Sequence, residues 1–266
     1  VSPDDLILPL PSLGDYIEFH RKRLGLTREA LGRRAFLAPR TIQKLERGEQ
    51  TGLTEASQLS LAHALGLTSD HERRHLDDLT RVHLPRPWLP AQLRSDVTPG
   101  ERAFLDDLMP RPAAYCNLAW EVVAANDAYE TLFPGRVAAN NVMLWLFGPQ
   151  GRKTMLHWDT EVANVVARMR GMYAHFGNPQ VGIQLLAHLQ HDPDFARLWL
   201  ERRVSFDRSV DEPQYVHTAA GPVTVRMQLQ SVPSARDHLH LCIAVVSPHR
   251  EPDAPPEISG RAIGIG

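Results

Sequence analysis

The sequence predicts a chain of two domains of different class. The first is an N-terminal all-α domain of about five short helices; the second is a C-terminal α+β domain with one antiparallel sheet and a helical insert. Three observations lead there. Residues 10–82 show, several times over, a capping Ser or Thr, a short apolar-periodic run and a closing glycine. Residues 83–98 carry Pro85, Pro87 and Pro90 close together and read as a Pro-rich linker. Residues 99–248 then mix runs of period two with longer helical runs. The tail, residues 249–266, is rich in Pro and Gly and is expected to be disordered. At 266 residues the chain is long enough to give each domain its own core.

In the first domain Ser12 caps a helix with Leu13, Tyr16, Ile17 and Leu24 on its apolar face, and Gly25 ends it. Thr27 caps a second helix running through Leu31 and Arg34. A tight connection at residues 35–37 leads to a third, which starts at Pro39 and stops at Gly48; proline is tolerated at a first helical position because its missing N–H would have had no partner. Thr54 opens a fourth helix with Ala56, Leu59, Leu61, Ala62 and Leu65 along its face, closed by Gly66, and residues 68–80 form a fifth. In the second domain residues 98–109 read as a short helix, and residues 115–118 and 121–125 as a β-hairpin. Helices are expected at 127–133, 141–147, 154–176, 179–191 and 194–203, and strands at 215–218, 223–229 and 239–246. Val223, Val225, Met227 and Leu229 alternate with Thr224, Arg226 and Gln228, which predicts one buried strand face.

Composition limits the function classes. With 43% hydrophobic and 23% charged residues this is an ordinary globular chain. It has no run of 18 apolar residues, so no membrane-spanning helix is expected. Residues 1–11 are acidic and broken by proline, unlike a secretory signal, so a cytoplasmic location is expected. The two cysteines, Cys116 and Cys242, lie in apolar segments and are expected to be reduced, buried thiols. The net charge is −2, yet residues 20–50 carry nine Arg/Lys against three Glu. A small basic module on an acidic body suits a nucleic-acid reader.

The stretch from Thr27 to Gly48 fits a helix-turn-helix: two short helices, a tight turn, and an exposed face able to enter a major groove. Ala30, Leu31, Ile42 and Leu45 would share a core, while Arg40 and Lys44, four apart with Gln43 beside them, face outward. The pattern Thr27-x-x-x-Leu31, then Ile42-x-x-Leu45-Glu46-x-Gly48, followed by Leu59-x-x-Ala62-x-x-Leu65, resembles the XRE-type (Cro/repressor-like) helix-turn-helix family over about residues 12–80. The resemblance implies that Arg40 and Lys44 read base edges with help from Gln43, and that Thr27, Arg28 and Arg47 grip the DNA backbone. Arg28 stands where such families often place Gln, and Ala38 where a capping Ser or Thr is frequent.

His71-Glu72-Arg73-Arg74-His75 is a literal H-E-x-x-H, the zinc-protease signature. Its place on the last helix of a small helical domain, the two internal arginines and the lack of a clear third ligand argue against metal. His238 and His240 share one strand face, which is a weaker pattern still. No catalytic residue, cofactor or metal site is expected, and the chain is read as a non-enzyme. A zinc hydrolase using His71, Glu72 and His75, and a protein-interaction adaptor without DNA binding, are the alternatives.

Residues 99–248 resemble the MmyB-like ligand-binding domain, which has a PAS-like fold and follows an XRE-type domain. The matching pieces, in order, are Pro112-Ala-Ala-Tyr115, residues 120–126, residues 141–147, His157-Trp-Asp159, residues 194–199, and His217 with Gly221. Ala125 departs from the family, which often carries Trp there. The resemblance implies a sensor that takes a small molecule, lipophilic ones included, between sheet and helices. Candidate lining residues are Tyr115, Trp120, Met143, Trp145, Phe147, Met172 and Met227. It also implies a homodimer on double-stranded operator DNA.

Overall fold

The first domain is a cluster of helices: α1 (Leu13–Arg23), α2 (Arg28–Ala35), α3 (Pro39–Glu46), α4 (Glu55–Ala64) and α5 (Asp70–Thr80). The computed structural model describes residues 3–50, 52–81, 97–117, 119–177, 180–208, 212–231 and 239–249. Local chemistry sets the helix starts. The Ser12, Thr27 and Thr54 hydroxyls accept from the backbone N–H groups of Asp15, Ala30 and Ser57, and Ser69 with Glu72 completes a capping box. Helices of 8 to 11 residues are too short to hold themselves in water. What holds them is a shared core of Leu13, Tyr16, Ile17, Leu31, Ile42, Leu45, Leu61, Leu65 and Leu76. Each buried Leu or Ile there contributes about 1.5–3 kcal/mol.

Four expected apolar positions are corrected: Leu24, Ala30, Ala56 and Leu59 are not part of the helical core. Leu24 caps the end of α1 and is 41% exposed; Leu59 is 70% exposed. Leu59 lies two residues before the buried Leu61, about 200° around the helix, and so points away from the core.

The second domain has a five-stranded antiparallel sheet of β1 (Ala113–Asn117), β2 (Val122–Ala125), β3 (Gln214–Thr218), β4 (Gly221–Ser231) and β5 (Leu239–Pro248), in the order β2-β1-β5-β4-β3. This is the PAS-like α+β architecture the sequence predicts. Its two edge strands, β2 and β3, are consecutive in the chain, so the insert between them must cross the whole sheet. It does so as α7 (Asp127–Leu132), α8 (Arg136–Ala139), α9 (Val142–Phe147), α10 (Pro149–Thr154), α11 (Trp158–His175), α12 (Gln180–Leu189) and α13 (Pro193–Leu200). Helix α6 (Pro99–Asp107) comes before the sheet, and its Leu105 packs on the other face with Ala113, Tyr115 and Leu241.

The helix expected over 154–176 begins only at Trp158. α10 ends at Thr154, Met155 bridges to Val216, and the Leu156 N–H donates to the Tyr215 carbonyl at 2.8 Å before α11 begins. Pairing with β3 thus competes successfully with helix propensity at these residues. On β4 the alternation holds in part: Val225 is fully buried, Val223 and Met227 pack against the main core, and Leu229 is 58% exposed.

The residues before α1 pack on the second domain. Leu8 is 5% exposed within its main core, the Trp199 Nε1–H donates to the Pro9 carbonyl at 2.9 Å, and Gln190 Oε1 accepts from the Ile7 N–H at 2.7 Å. Beyond this strap the domains meet through charge. Arg202 grips Asp15 of α1 at 2.7 and 2.9 Å, Arg170 of α11 reaches Asp15 at 3.4 Å, and His175 Nδ1 lies 3.0 Å from Asp78 of α5. Most of the linker, all of the tail from residue 250, and His238 lie outside the described residues. No helix among the described residues is long and apolar enough to cross a membrane.

Candidate nucleic-acid interface and sensor core

Helix α3 divides its residues by face. Ile42 and Leu45 are fully buried in the helical core, while Arg40 and Lys44 are exposed and Gln43 is half-exposed. Among the described residues neither Arg40 nor Lys44 forms an ion pair, so two cations four residues apart stand unpaired on one open face. Thr27 sits at the start of α2, its hydroxyl spent on the Ala30 N–H at 3.1 Å. Arg47 closes α3, exposed and 3.7 Å from Glu49.

Arg28 has a partner that the sequence did not suggest. Its Nε donates to Glu46 Oε2 at 2.6 Å, and Arg21 of α1 donates to Glu46 Oε1 at 2.6 Å. The buried Glu46 carboxylate therefore ties α1 and α2 to the end of α3 and sets the tilt of the exposed helix. A cation that lies 25 residues away in sequence leaves no local signal of this. Close approach completes the geometry. A Cβ on Gly32 would come within 2.6 Å of the Leu37 carbonyl, so the turn between α2 and α3 closes only over a glycine. Gly14 likewise has the Glu46 carbonyl against it.

The H-E-x-x-H residues do other work. Glu72 spends its carboxylate on the Thr68 and Ser69 N–H groups as part of the cap. His75 is 1% exposed and packs edge-on to Tyr16, with its imidazole held down at about 3, chiefly by burial and then by the nearby Arg170 and His20. His71 points the other way, toward Asp207 and Phe206. One helical face does not carry both histidines to a common point.

The seven residues expected to line a ligand site do not all meet. Met143, Trp145 and Phe147 lie in the main core between sheet and helices, with Trp120 and Met227 packed against it. Met172 is half-exposed on α11 and is not part of that core. Tyr115 is on the opposite face of the sheet, in the cluster under α6. The reason is strand alternation: on β1, Ala114 and Cys116 face the main core while Ala113 and Tyr115 face away. Cys116 and Cys242 share the inner face on adjacent strands, both buried. Cys242 donates to Cys116, and that hydrogen bond holds the Cys116 thiol below its ordinary range against the effect of burial, helped by the charge of Arg136.

Arg136 is the functional candidate that sequence reading missed. It is 3% exposed, with its guanidinium 4.0 Å from the Phe133 ring and 4.3 Å from the Trp145 ring. A separate cleft of about 440 Å3, partly open to solvent, lies between the domains and is lined by Leu13, Glu46, Gly48, Leu79, Ala174 and Gly177 among others.

The exposed cationic helix and the antiparallel sheet with its buried inner face both have counterparts among known families. A helix-turn-helix domain matches residues 12–76, and the MmyB-like transcription regulator ligand binding domain matches residues 97–254. The chain belongs to the MmyB-like transcription regulators. No curated protein matched it. The two matched domains are one of the helix-turn-helix kind and one of the ligand-binding kind. In this chain α11 joins them. Its Val162, Val165, Val166, Met169 and Tyr173 belong to the sensor core, while Arg170 and His175 meet α1 and α5.

Proposed function

We propose that this MmyB-like regulator reads a specific operator with α3 and changes its affinity when a small molecule occupies the sensor core. Arg40 and Lys44 read base edges with Gln43 beside them, while Thr27, Arg28 and Arg47 hold the phosphate backbone. A cytoplasmic homodimer on a pseudo-palindromic site, with half-sites about one helical turn apart, fits a module that presents one recognition helix per chain. The observation that carries the reading is the pair of exposed, unpaired cations on α3, whose opposite face is fully buried. Lipophilic molecules are among the ligand classes that suit an apolar core of Met143, Trp145 and Phe147. A ligand acts on DNA only through differential contact with two states, and α11, packed in both domains, is the element positioned to carry it.

The test starts from duplexes selected by the protein out of a randomised pool. Arg40→Ala is expected to lose about 1–3 kcal/mol, concentrated at one base position of the selected site. Equal binding of the two proteins to that site removes Arg40 from the interface. Absence of any salt-dependent DNA binding by the wild type favours the adaptor reading instead.

A further inference from the structure

Cys116 on β1 and Cys242 on β5 are the chain's two cysteines, and both belong to the main core on the inner face of the sheet. The register sets Ala114 opposite Cys242 and Cys116 opposite His240, so the two cysteines are diagonal neighbours on one face of adjacent strands. Cys242 donates a hydrogen bond to Cys116, and the Tyr129 hydroxyl donates a second. Tyr129 in turn accepts from Arg136 Nη1 at 3.3 Å. Among the described residues Arg136 pairs with no carboxylate, whereas the other buried arginines do: Arg21 with Glu46 at 2.6 Å, Arg170 with Asp15 at 3.4 Å and Arg168 with Glu161 at 3.9 Å. Glu130, close by in sequence, is spent on the Gly135 N–H at 2.7 Å and the Val137 N–H at 3.3 Å. A buried cation without a counter-ion is costly. The group placed to supply the negative charge is the Cys116 sulfur, which accepts from two donors. The hydrogen bond from Cys242, then the charge of Arg136 and the bond from Tyr129, lower its thiol against the effect of burial. Burial keeps the proton on Tyr129, and the bond to Cys116 together with burial keeps the proton on Cys242.

We propose that Cys116 and Cys242 are a peroxide-reacting pair, with Cys116 as the attacking sulfur, Cys242 as the resolving one and hydrogen peroxide as the substrate. The proposal stands apart from the sensor reading, since it needs neither DNA nor an organic ligand. A buried thiol is ordinarily inert because it stays protonated, and the donors around Cys116 remove that obstacle. The Cys116 thiolate attacks one peroxide oxygen: the S–O bond forms, the O–O bond breaks, and hydroxide leaves to take up the proton that Cys116 gave up. Cys242 then attacks the sulfenic sulfur: the S–S bond forms, the S–O bond breaks, and the departing oxygen takes the Cys242 proton and leaves as water. The sulfurs lose two electrons, which reduce the peroxide to two waters. At 8% and 5% exposure the pair admits a molecule little larger than water and excludes a bulky oxidant such as oxidised glutathione. Diagonal neighbours stand near the upper limit of the separation a disulfide spans, so the bond is a readily reduced, regulatory one. Closing it draws β1 and β5 together on the inner face and takes the acceptor away from the Tyr129 hydroxyl, so α7 and α8 repack on the core that α11 shares.

The experiment exposes the reduced, folded full chain to hydrogen peroxide, then denatures it, alkylates the remaining thiols and measures the intact mass. The wild type is expected to lose both alkylatable thiols together without gaining oxygen, and to recover both with dithiothreitol. Peptide mapping should place the link between Cys116 and Cys242 of one chain. In Cys242→Ala the sulfenic acid has no partner, and dimedone should label Cys116; in Cys116→Ala, Cys242 should stay a free thiol. Tyr129→Phe, which removes only a hydroxyl, should slow the loss of thiols by about tenfold. Arg136→Lys, which keeps the charge, should slow it less than Arg136→Met. The cysteine variants each change one small side chain and keep the test readable if the Arg136 variants fold poorly. Thiols that survive peroxide in the folded wild type overturn the proposal, as does a link between two chains. Dimedone on Cys242 of Cys116→Ala but not on Cys116 of Cys242→Ala overturns it too, and so does an undiminished rate in Tyr129→Phe.

Discussion

Phe36 closes α2 with φ at 54°, in the left-handed region, and is 89% exposed. A side chain with a Cβ adopts that conformation at a cost of about 1–2 kcal/mol, and here no burial of the ring offsets it. Glycine takes the same φ without the clash. Phe36→Gly is therefore expected to stabilise the first domain by about 1 kcal/mol, after allowing for the greater chain entropy of glycine when unfolded. The readout is the urea midpoint at unchanged m-value. A lower midpoint would show that the ring makes a stabilising contact. Helical spacing is local, so the sequence by itself puts Arg40 and Lys44 on one face of α3 and Ile42 and Leu45 on the other, as in the structure. Tyr115 stands apart from the other expected lining residues, because the alternation that turns Cys116 inward turns Tyr115 to the opposite face.

At the level of elements, α3 lacks a capping side chain where α1, α2, α4 and α5 each have one. Ala38 holds extended cap geometry at φ −64° and ψ 143°, so a hydroxyl placed there would reach the Thr41 N–H without backbone change. Ala38→Ser is expected to stabilise the domain by about 0.5–1 kcal/mol. Because the change leaves Arg40 and Lys44 where they are, base preference in the selected site should stay the same. An altered preference would mean that the residue at 38 itself contacts DNA. The elements that escaped sequence reading, α8 and α10, have four and six residues. Segments of one turn carry too little periodicity to be seen, and their formation depends on partners such as Glu130, which caps α8 from α7.

At the scale of the molecule, the region where the domains meet responds to acid. His20 and His75 flank Tyr16, held down at about 4 and about 3, mainly by burial and then by the Arg23 charge for His20 and by Arg170 and His20 for His75. Unfolded, each would titrate near 6.5. Between that value and about 4 the unfolded chain binds more protons, so folded stability falls as pH drops through this window and the effect flattens below about 3. Asp15 acts lower still. Burial would raise its carboxyl, but the hydrogen bond and charge of Arg202, with Arg170 and Lys22, more than reverse that; its contribution is present above its ordinary 3.8 and disappears below it. His75→Phe keeps a ring beside Tyr16 and removes one titration. The midpoint of thermal unfolding should then depend less steeply on pH between 6.5 and 4 than in the wild type. An unchanged slope would place the acid sensitivity elsewhere.

The sequence alone determined the class of each domain, the caps of α1, α2 and α4, the two faces of α3 and the strand pattern of the sensor, because each of these follows from interactions within a few residues. Only the tertiary structure decided the rest. Glu46 joins three helices through arginines 18 and 25 residues away, and Leu8 and Pro9, ahead of the first domain, pack with Trp199 nearly two hundred residues on. Arg136 looks like any surface arginine in the sequence, and its buried, unpaired state exists only once α8 is folded against Phe133 and Trp145. The physical reason is the same in each case: caps and periodicity are settled by neighbouring dihedral angles, whereas burial and the pairing of charges are settled by which distant segments exclude water together.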